Sequence, residues 1–390
     1  MNFWPTLPQP IVGLSPMDGV TDAAFRLAVA RQGVPDVTFT EFTSVVDVCR
    51  GPDFLLSTFL YSEEERPVVA QLYGKQPDFF YQAAHVVCEL GFDGLDINMG
   101  CPSKNVSSSG SGAALIKTPD LAHAIMRAAR QGIQDWANGQ TLAQVGLKAS
   151  RVNLIQAMNL KRSGQPSPPR RVIPLSVKTR LGYDSVVVEQ WIGHLLAEQP
   201  AVISVHGRTL QQMYKGEADW NAIAQAARMV RGTATLLLGN GDVQSLGDVV
   251  RRVRESGVHG VLVGRGALGS PWFFRKKELA RQAASAAESV PTLSLDDEVS
   301  LADRFRLMVE HARLFERIEG DAWFPHIRKH LGWYCKGFPH AAAMRAQMVR
   351  ASSSADVERI VTDYVSANPL SDTQPTPAVR SALPTSLSCA

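Results

Sequence analysis

The chain has 390 residues, of which 45% are hydrophobic and 20% are charged, and its formal net charge is +3 at pH 7. This composition is ordinary for a globular protein with a sizeable core, and it excludes disorder throughout the chain. The weak basic excess permits a polyanionic partner, but it lies far below that of a protein that coats nucleic acid.

Eight short β-branched apolar runs alternate with segments of helical periodicity between residues 11 and 275. This alternation predicts repeated βα units around a parallel sheet, and eight units favour a closed (β/α)8 TIM barrel. In such barrels the loops after the strands converge on one mouth, where the chemistry takes place. The runs lie at 11–16, 36–41, 67–74, 94–98, 175–180, 201–206, 235–239 and 260–264.

The remaining segments complete the predicted domain organisation. The barrel is predicted over residues 8–290, and a turn-rich basic segment at 131–171 is interpreted as a surface insertion in it. Strand patterns then stop, and helical patterns predict a smaller all-helical domain at 291–367. Residues 368–390 are rich in Ser, Thr and Pro, so we expect a disordered tail.

A cysteine directly follows the fourth run. Cys101 lies in Leu95-Asp-Ile-Asn-Met-Gly-Cys-Pro-Ser-Lys104, so it should face the mouth of the barrel. A thiol with the ordinary pKa of about 8.5 is mostly protonated at neutral pH and can donate a proton, whereas a nearby cation would turn it into a thiolate nucleophile. Spacing alone leaves both roles open. The small-residue segment 107–117 behind it is suited to moving over a bound substrate.

Polar or glycine-rich residues end most of the other runs. Gln71 lies in the third run, and Lys178 and His206 end the fifth and sixth. Glycine turns at 239–242 and 264–266 follow the seventh and eighth, where barrels often bind phosphate through backbone N–H groups. A cation in the mouth could stabilise the anionic ring of a reduced flavin. Each residue alone would more often be structural, but together they favour a binding site.

These motifs resemble those of the tRNA-dihydrouridine synthases. The resemblance covers about residues 8–275 and, more loosely, the helical region to about 366. Within the family it is strongest to the bacterial C-type subgroup, which modifies position 16 of the tRNA D-loop. The matching segments, in chain order, are Ser15-Pro-Met-Asp-Gly-Val-Thr-Asp22, Gln71-Leu-Tyr-Gly74, Asn98-Met-Gly-Cys-Pro-Ser103, Val177-Lys178, His206-Gly-Arg-Thr209, Gly239-Asn-Gly-Asp242 and Gly264-Arg-Gly266.

The resemblance implies a reaction and a set of residues. NADPH would reduce FMN, the flavin would pass hydride to C6 of a uridine in tRNA, and Cys101 would protonate C5. The residues that the resemblance assigns to FMN are Pro16, Met17, Asp18, Gln71, Lys178, His206, Asn240, Gly241, Asp242, Gly264 and Arg265. Such chemistry requires that the base be drawn out of the tRNA fold, so RNA contacts outside the barrel must offset the cost of unstacking.

The predicted helical domain offers such contacts. Residues 322–355 contain no acidic side chain. Lysine and arginine would bind phosphates, and aromatic rings would stack on bases; the alternative is that the rings fill a core and the charges form a solvated face. The residues predicted to bind tRNA are Arg328, Lys329, Lys336, Arg345 and Arg350, and the aromatic residues beside them are Trp323, Trp333, Tyr334 and Phe338.

Other sequence features indicate the compartment of the protein and the partners that it lacks. The chain has 5 cysteines, widely spaced and never in a C-x-x-C pair, so neither a disulfide framework nor a metal site is predicted. We find no signal-peptide pattern and no apolar stretch of the about 20 residues that a bilayer requires. We therefore expect a cytoplasmic, monomeric protein without a membrane or metal partner.

Three alternatives compete with this interpretation. The first is another FMN barrel oxidoreductase that acts on a free pyrimidine or small metabolite, and the second is a non-catalytic tRNA-binding protein that kept the barrel. The third rests on Gly264, Gly266 and Gly269, which spell G-x-G-x-x-G. A Rossmann unit would need further parallel strands after them, where helical sequence follows instead.

Overall fold

The structure is a computed structural model that describes residues 2–286, 295 and 299–369, without the side chains of 104 and 105. The predicted tail at 368–390 lies outside the described residues from 370 onward. The predicted boundary between 290 and 291 lies outside them as well.

Eight parallel strands form the core of the molecule. From β2 to β8 each strand pairs with the next one in the sequence, and β8 pairs with β1. The barrel closes because Leu14 N donates to Val37 O (3.0 Å) and Asp36 N donates to Val12 O (3.0 Å). The predicted (β/α)8 TIM barrel is confirmed. The strands are β1 Ile11–Leu14, β2 Thr38–Ser44, β3 Val68–Tyr73, β4 Gly94–Met99, β5 Leu175–Arg180, β6 Val202–His206, β7 Leu236–Asn240 and β8 Gly260–Val263.

Close pairing of β1 with β8 requires a glycine. The strand interiors are almost fully buried, as expected for a parallel sheet covered by helices on its outer face. Gly260 opens β8, and a Cβ at that position would lie 2.3 Å from the carbonyl oxygen of Ile11. Only glycine allows β1 and β8 to approach so closely.

The helices of the described chain fall into two groups. Those up to α10 surround or flank the barrel, and those from α11 form a separate helical unit. They are α1 Ala23–Gly33, α2 Val45–Arg50, α3 Pro77–Glu89, α4 Lys104–Ser107, α5 Pro119–Ala137, α6 Ala149–Ser163, α7 Val188–Ala197, α8 Trp220–Met229, α9 Leu246–Ser256, α10 Lys277–Ser285, α11 Leu301–Glu319, α12 Arg328–Tyr334, α13 Ala341–Met348 and α14 Ser354–Ala367. Across the described ranges, none of them has the length and apolar character needed to cross a bilayer.

The segment predicted as an insertion contains the end of a barrel helix and one added helix. Helix α5 continues to Ala137 and buries Ile133 and Trp136, so the predicted start at 131 falls inside it. Helix α6 then lies on the flank of the barrel. Its Asn159 Nδ2 donates to Glu89 O (2.7 Å), and its Arg162 Nη2 donates to Leu90 O (2.9 Å). These bonds to backbone carbonyls fasten the added helix to the end of α3.

The helical unit shares a hydrophobic core with the first helix of the barrel. Ala24, Leu27 and Ala28 of α1 pack in one cluster with Met308 and Leu331 of the helical unit. Aromatic contact continues across the same interface, where the Phe25 and His330 rings lie 4.8 Å apart. This packing brings α12 close to the loop that follows β1.

Candidate active site

One cavity opens at the carboxyl ends of the strands, and all eight strands or the loops behind them contribute to its lining. It brings together Cys101 and every residue predicted to hold the cofactor, although these residues are spread over most of the barrel sequence. The predicted residues in its lining are Pro16, Met17, Asp18, Gln71, Cys101, Lys178, His206, Asn240, Gly241, Asp242, Gly264 and Arg265. Within the described residues no group of His, Cys, Asp or Glu side chains could hold a metal ion.

Hydrogen bonds between side chains and the backbone hold the loop that carries Cys101. The amides of Gly100 and Cys101 both donate to Asn98 Oδ1, at 3.0 and 2.9 Å. Arg180 Nε donates to Gly100 O at 2.7 Å. Farther along, Gly112 has φ +61°, and a Cβ there would lie 3.3 Å from the Cys101 Cβ. The loop thus folds back tightly over a cysteine that is only 5% exposed.

The walls beside the cysteine carry cationic side chains, among them Lys178 and Arg180, and an imidazole that is neutral at neutral pH, that of His206. Burial and, to a smaller extent, the charge of Arg180 lower the pKa of Lys178 to about 8, although Asp96 and Cys101 act in the opposite direction. Burial also lowers the pKa of His206 well below its ordinary value, with Arg180 and Lys178 adding to the effect. Among the described residues the buried His206 Nδ1 has no hydrogen-bond partner. A ligand in the cavity would supply one.

The turn after β7 combines a strained glycine with a carboxylate that is already occupied. Gly241 has φ +128°, and a Cβ there would lie 2.7 Å from the Cβ of Ala218, so this position requires glycine. Asp242 accepts from Arg208 at 2.7 Å, from Arg265 at 3.2 Å and from the Ala218 amide at 2.8 Å. Asp242 therefore reaches the cavity, but its carboxylate is engaged in holding the Arg265 guanidinium at the rim.

The helical unit also reaches this mouth. Lys329 belongs to α12, and its Nζ would lie 3.4 Å from a Cβ on Gly19, which follows β1. Partial burial raises the pKa of the neighbouring Asp18, and the charge of Lys329 lowers it. Burial raises the pKa of Glu41, at the same edge, to about 8, with Asp22 and Asp18 adding to the rise. Lys329 is thus a cation within reach of a substrate that enters the mouth.

The other basic residues predicted to bind RNA differ in their surroundings. Arg328 Nε donates to Ala351 O (2.8 Å), and Lys336 Nζ donates to Leu268 O (3.3 Å). Arg345 donates to the carbonyl of Cys335, while Arg350 is exposed. Three of these side chains are therefore already bonded to a backbone carbonyl, which belongs to the helical unit for Arg328 and Arg345 and to the segment after β8 for Lys336.

The aromatic residues of the helical unit divide in the same way. Tyr334 is 1% exposed and belongs to the core. Trp323 is 47% exposed and stacks on Phe54 of the barrel, which is 57% exposed, with the ring centroids 6.2 Å apart. The pair forms an exposed aromatic surface, here called the Phe54–Trp323 platform, where the barrel and the helical unit meet.

Sequence reasoning missed several residues of the cavity. Asn98 and Arg180 line it; Asn98 lies in the motif of Cys101, and Arg180 is the last residue of the fifth predicted run. Tyr214 lines it from the long loop after β6, with its ring 5.8 Å from the guanidinium of Arg265. No local pattern marks Tyr214, because only the path of that loop brings it to the mouth.

A closed barrel whose mouth gathers a thiol, an ammonium group and two glycine turns is typical of barrel enzymes, which have their active site at the carboxyl ends of the strands and often bind phosphate after strands seven and eight. The model of the family described as dihydrouridine synthase (Dus) matches residues 13–138 and 167–368. The chain therefore belongs to the dihydrouridine synthase family, which makes it a flavin-dependent oxidoreductase. The unmatched residues between the two ranges include α6, so the added helix is a departure from the family pattern.

Two bacterial relatives align with nearly the whole chain. The probable tRNA-dihydrouridine synthase 2 of Bacillus subtilis (strain 168) is 32% identical over 369 residues, which cover 93% of this chain and 96% of that protein. The probable tRNA-dihydrouridine synthase of Staphylococcus aureus (strain COL) is 31% identical over 371 residues, covering 93% and 95%. Both alignments extend over the barrel and the helical unit together.

Proposed function

We propose that this protein is a tRNA-dihydrouridine synthase that reduces the C5–C6 double bond of a D-loop uridine, at position 16, with Cys101 as the proton donor. Family membership and the relatives' names support the reaction class and the tRNA substrate. The observation that carries the proposal is the single cavity in which Cys101 lies with Lys178, His206 and both glycine turns.

The residues of the mouth fit a bound FMN. The buried His206 Nδ1 has no hydrogen-bond partner among the described residues, so it could bond to the cofactor. Gly241 leaves room for the close approach of a ligand, and the charges of Lys178 and Arg265 would offset the negative charge of FMN. FMN, when bound, supplies the hydride for the uridine and takes its electrons from NADPH. The residues that would hold it are Pro16, Met17, Asp18, Gln71, Lys178, His206, Asn240, Gly241, Asp242, Gly264 and Arg265.

The protein's own groups would orient the uridine and move one proton. Cys101 Sγ holds the proton that goes to uridine C5, and the bonds of its loop to Asn98 and Arg180 fix where that sulfur lies. Lys178 stays cationic below pH about 8, so it balances negative charge in the mouth at neutral pH. Burial of the cysteine excludes water, which would otherwise compete as a proton donor.

The tRNA would lie across the mouth and the helical unit. Lys329 stands at the mouth, Arg350 is exposed, and the Phe54–Trp323 platform offers a stacking surface for an unpaired base. Arg328, Lys336 and Arg345 would add phosphate contacts with their remaining N–H groups. Since its substrate is tRNA, the protein would work in the cytoplasm, and we propose that it does so as a monomer without a metal ion.

The test combines spectroscopy with mapping of dihydrouridine on tRNA. The purified protein should show a flavin absorption band that NADPH bleaches. The Cys101→Ala variant should keep its FMN and lose about 10²-fold or more in turnover, because a positioned general acid is gone. A colourless protein, or full activity of the variant, would contradict the proposal. Equal turnover of a free pyrimidine would favour the small-metabolite alternative.

A further inference from the structure

A chain of buried hydrogen bonds lies directly beneath the mouth. Asp96, in the middle of β4, is 0% exposed and is absent from the lining of the cavity. It pairs in register with Gln71 of β3 and with Ser176 of β5. Three polar side chains on adjacent strands therefore meet at one level inside the barrel.

Each bond in the chain has a defined direction. Ser176 Oγ donates to Asp96 Oδ1 (2.6 Å), and Gln71 Nε2 donates to Asp96 Oδ2 (2.7 Å). The opposite end of the Gln71 amide, Oε1, accepts from Asn98 Nδ2 at 3.0 Å. Asn98 thereby turns its own oxygen, Oδ1, toward the amides of Gly100 and Cys101, which donate to it at 3.0 and 2.9 Å.

The carboxylate imposes this direction on the whole chain. An ionised carboxylate only accepts hydrogen bonds, whereas an amide side chain donates at one end and accepts at the other. If Gln71 turned around, its oxygen would face the Asp96 oxygen and its NH2 would face the NH2 of Asn98. Asn98 would then have to present its NH2 to the amides of the Cys101 loop, where two donors would oppose each other. The negative charge of Asp96 therefore determines that the oxygen of the Asn98 amide, and not its NH2, faces the backbone N–H groups of Gly100 and Cys101.

We propose that Asp96 is a positioning residue, which acts through Gln71 and Asn98 to hold the backbone of the Cys101 loop and therefore the thiol. The inference rests on the proposed function, because it concerns delivery of the Cys101 proton. Asp96 is absent from the lining of the cavity, so it would act through the hydrogen bonds of Gln71 and Asn98.

Two features favour this role over simple core filling. Buried carboxylates are unfavourable, and burial raises the pKa of Asp96 to about 6, yet the group remains ionised at neutral pH. Asp96 and Asn98 are also two positions apart on β4, so both side chains point to the interior of the barrel. Asp96 lies beneath the cavity, and Asn98 lies at its mouth.

Reversal of the chain provides a direct test. Asn98→Asp replaces an amide by an acceptor, so Gln71 must turn and point its oxygen at Asp96, where the two acceptors repel each other. Asp96→Asn then supplies an NH2 for that oxygen, while its own oxygen still accepts from Ser176. In the double variant the side chains at the same three positions would be linked by hydrogen bonds, but each donor would become an acceptor and each acceptor a donor. We expect Asn98→Asp to lower the rate of dihydrouridine formation about 10²-fold, as misplaced groups do, and Asp96→Asn alone to lower it at most about tenfold.

The double variant should recover at least about tenfold of the activity that Asn98→Asp loses, which corresponds to restored hydrogen bonding. Asn98→Ala is the matched control, since alanine cannot join a reversed chain and Asp96→Asn should not rescue it. If the two losses multiply in the Asp96→Asn/Asn98→Asp variant, or if Asn98→Ala is rescued equally, the proposal is overturned.

A second readout does not depend on turnover. In the FMN-loaded proteins, hydrogen exchange of the peptide that contains Cys101 should be faster in Asn98→Asp and return toward the wild-type rate in the double variant. Unchanged exchange in all variants would refute the role of Asp96. If the wild-type protein instead binds no FMN or leaves tRNA unmodified, the proposed function fails, and the exchange rates of the same proteins without FMN still decide whether the hydrogen-bond chain positions the loop.

Discussion

Replacing Asp96 by asparagine should make the protein more stable at neutral pH. Burial raises the pKa of this carboxyl from 3.8 to about 6, although Ser176, Gln71 and Lys178 all act in the opposite direction. The folded state therefore binds the proton more tightly than the unfolded state does. At about 1.4 kcal/mol for each pKa unit, the ionised carboxylate lowers the free energy of unfolding by about 3 kcal/mol at pH 7. Asparagine has the same shape and carries no charge.

The sign of the pH dependence follows from the raised pKa. Below about pH 3 the carboxyl is mostly protonated in both states, so the wild type and Asp96→Asn should be about equally stable. Between pH 4 and 6 the wild type loses stability from this group as the pH rises, whereas the variant does not. Urea unfolding of the apoproteins, followed by circular dichroism at pH 4.5 and pH 7, measures the difference.

Asp242→Asn is a control for which the free energy of unfolding should change in the opposite direction. This substitution removes a carboxylate that is paired with Arg208 and Arg265, so it should lower the free energy of unfolding at pH 7. A variant Asp96→Asn that is no more stable than the wild type at pH 7, or whose gain is the same at pH 4.5, would refute the reasoning.

Three further predictions concern the mouth and the RNA surface. Because the pKa of Lys178 is lowered to about 8, its positive charge disappears as the pH rises through that value. The affinity of the wild type for FMN, measured by flavin fluorescence, should therefore fall around pH 8, whereas the affinity of Lys178→Gln should not change with pH in this range. Gly241→Ala should lose FMN, because its φ is +128° and the new Cβ would meet Ala218, whereas Gly193→Ala, with nothing within 4 Å, should retain it. Trp323→Ala should weaken tRNA binding about tenfold through lost stacking and leave FMN content unchanged; an unaltered dissociation constant in a filter-binding assay would exclude the Phe54–Trp323 platform from the RNA surface.

The alternation of apolar runs and helical segments was sufficient to predict the barrel, but the ends of its elements depend on tertiary contacts. Strand β1 stops at Leu14 rather than at 16, because the chain turns there to form the first loop of the mouth. Strand β2 continues to Ser44, beyond the predicted end at 41, because the register shifts between Phe39 and Phe42. A shift of this kind leaves no mark in a pattern that counts only apolar and polar positions.

The convergence of the predicted cofactor residues on one cavity could be predicted from the sequence, whereas the surface that would meet RNA could not. Strand ends in a barrel converge by geometry, so residues such as Gln71 and Lys178 could be placed in one mouth from sequence alone. Phe54 could not, since it faces Trp323 only after the helical unit has packed on α1. Likewise, nothing in the sequence distinguishes Lys329, at the mouth, from Lys336, which bonds to a backbone carbonyl.

The added helix α6 enters and leaves the barrel at the end away from the mouth, because it lies between the end of α5 and the start of β5. Gly164, just after it, is exposed, has φ +72° and has no neighbouring atom near its missing Cβ. A fluorescent reporter or an immobilisation tag inserted at that turn would point away from the approaching nucleic acid. The protein thus carries a natural attachment point through which single-molecule measurements of tRNA engagement can be made without touching the catalytic face.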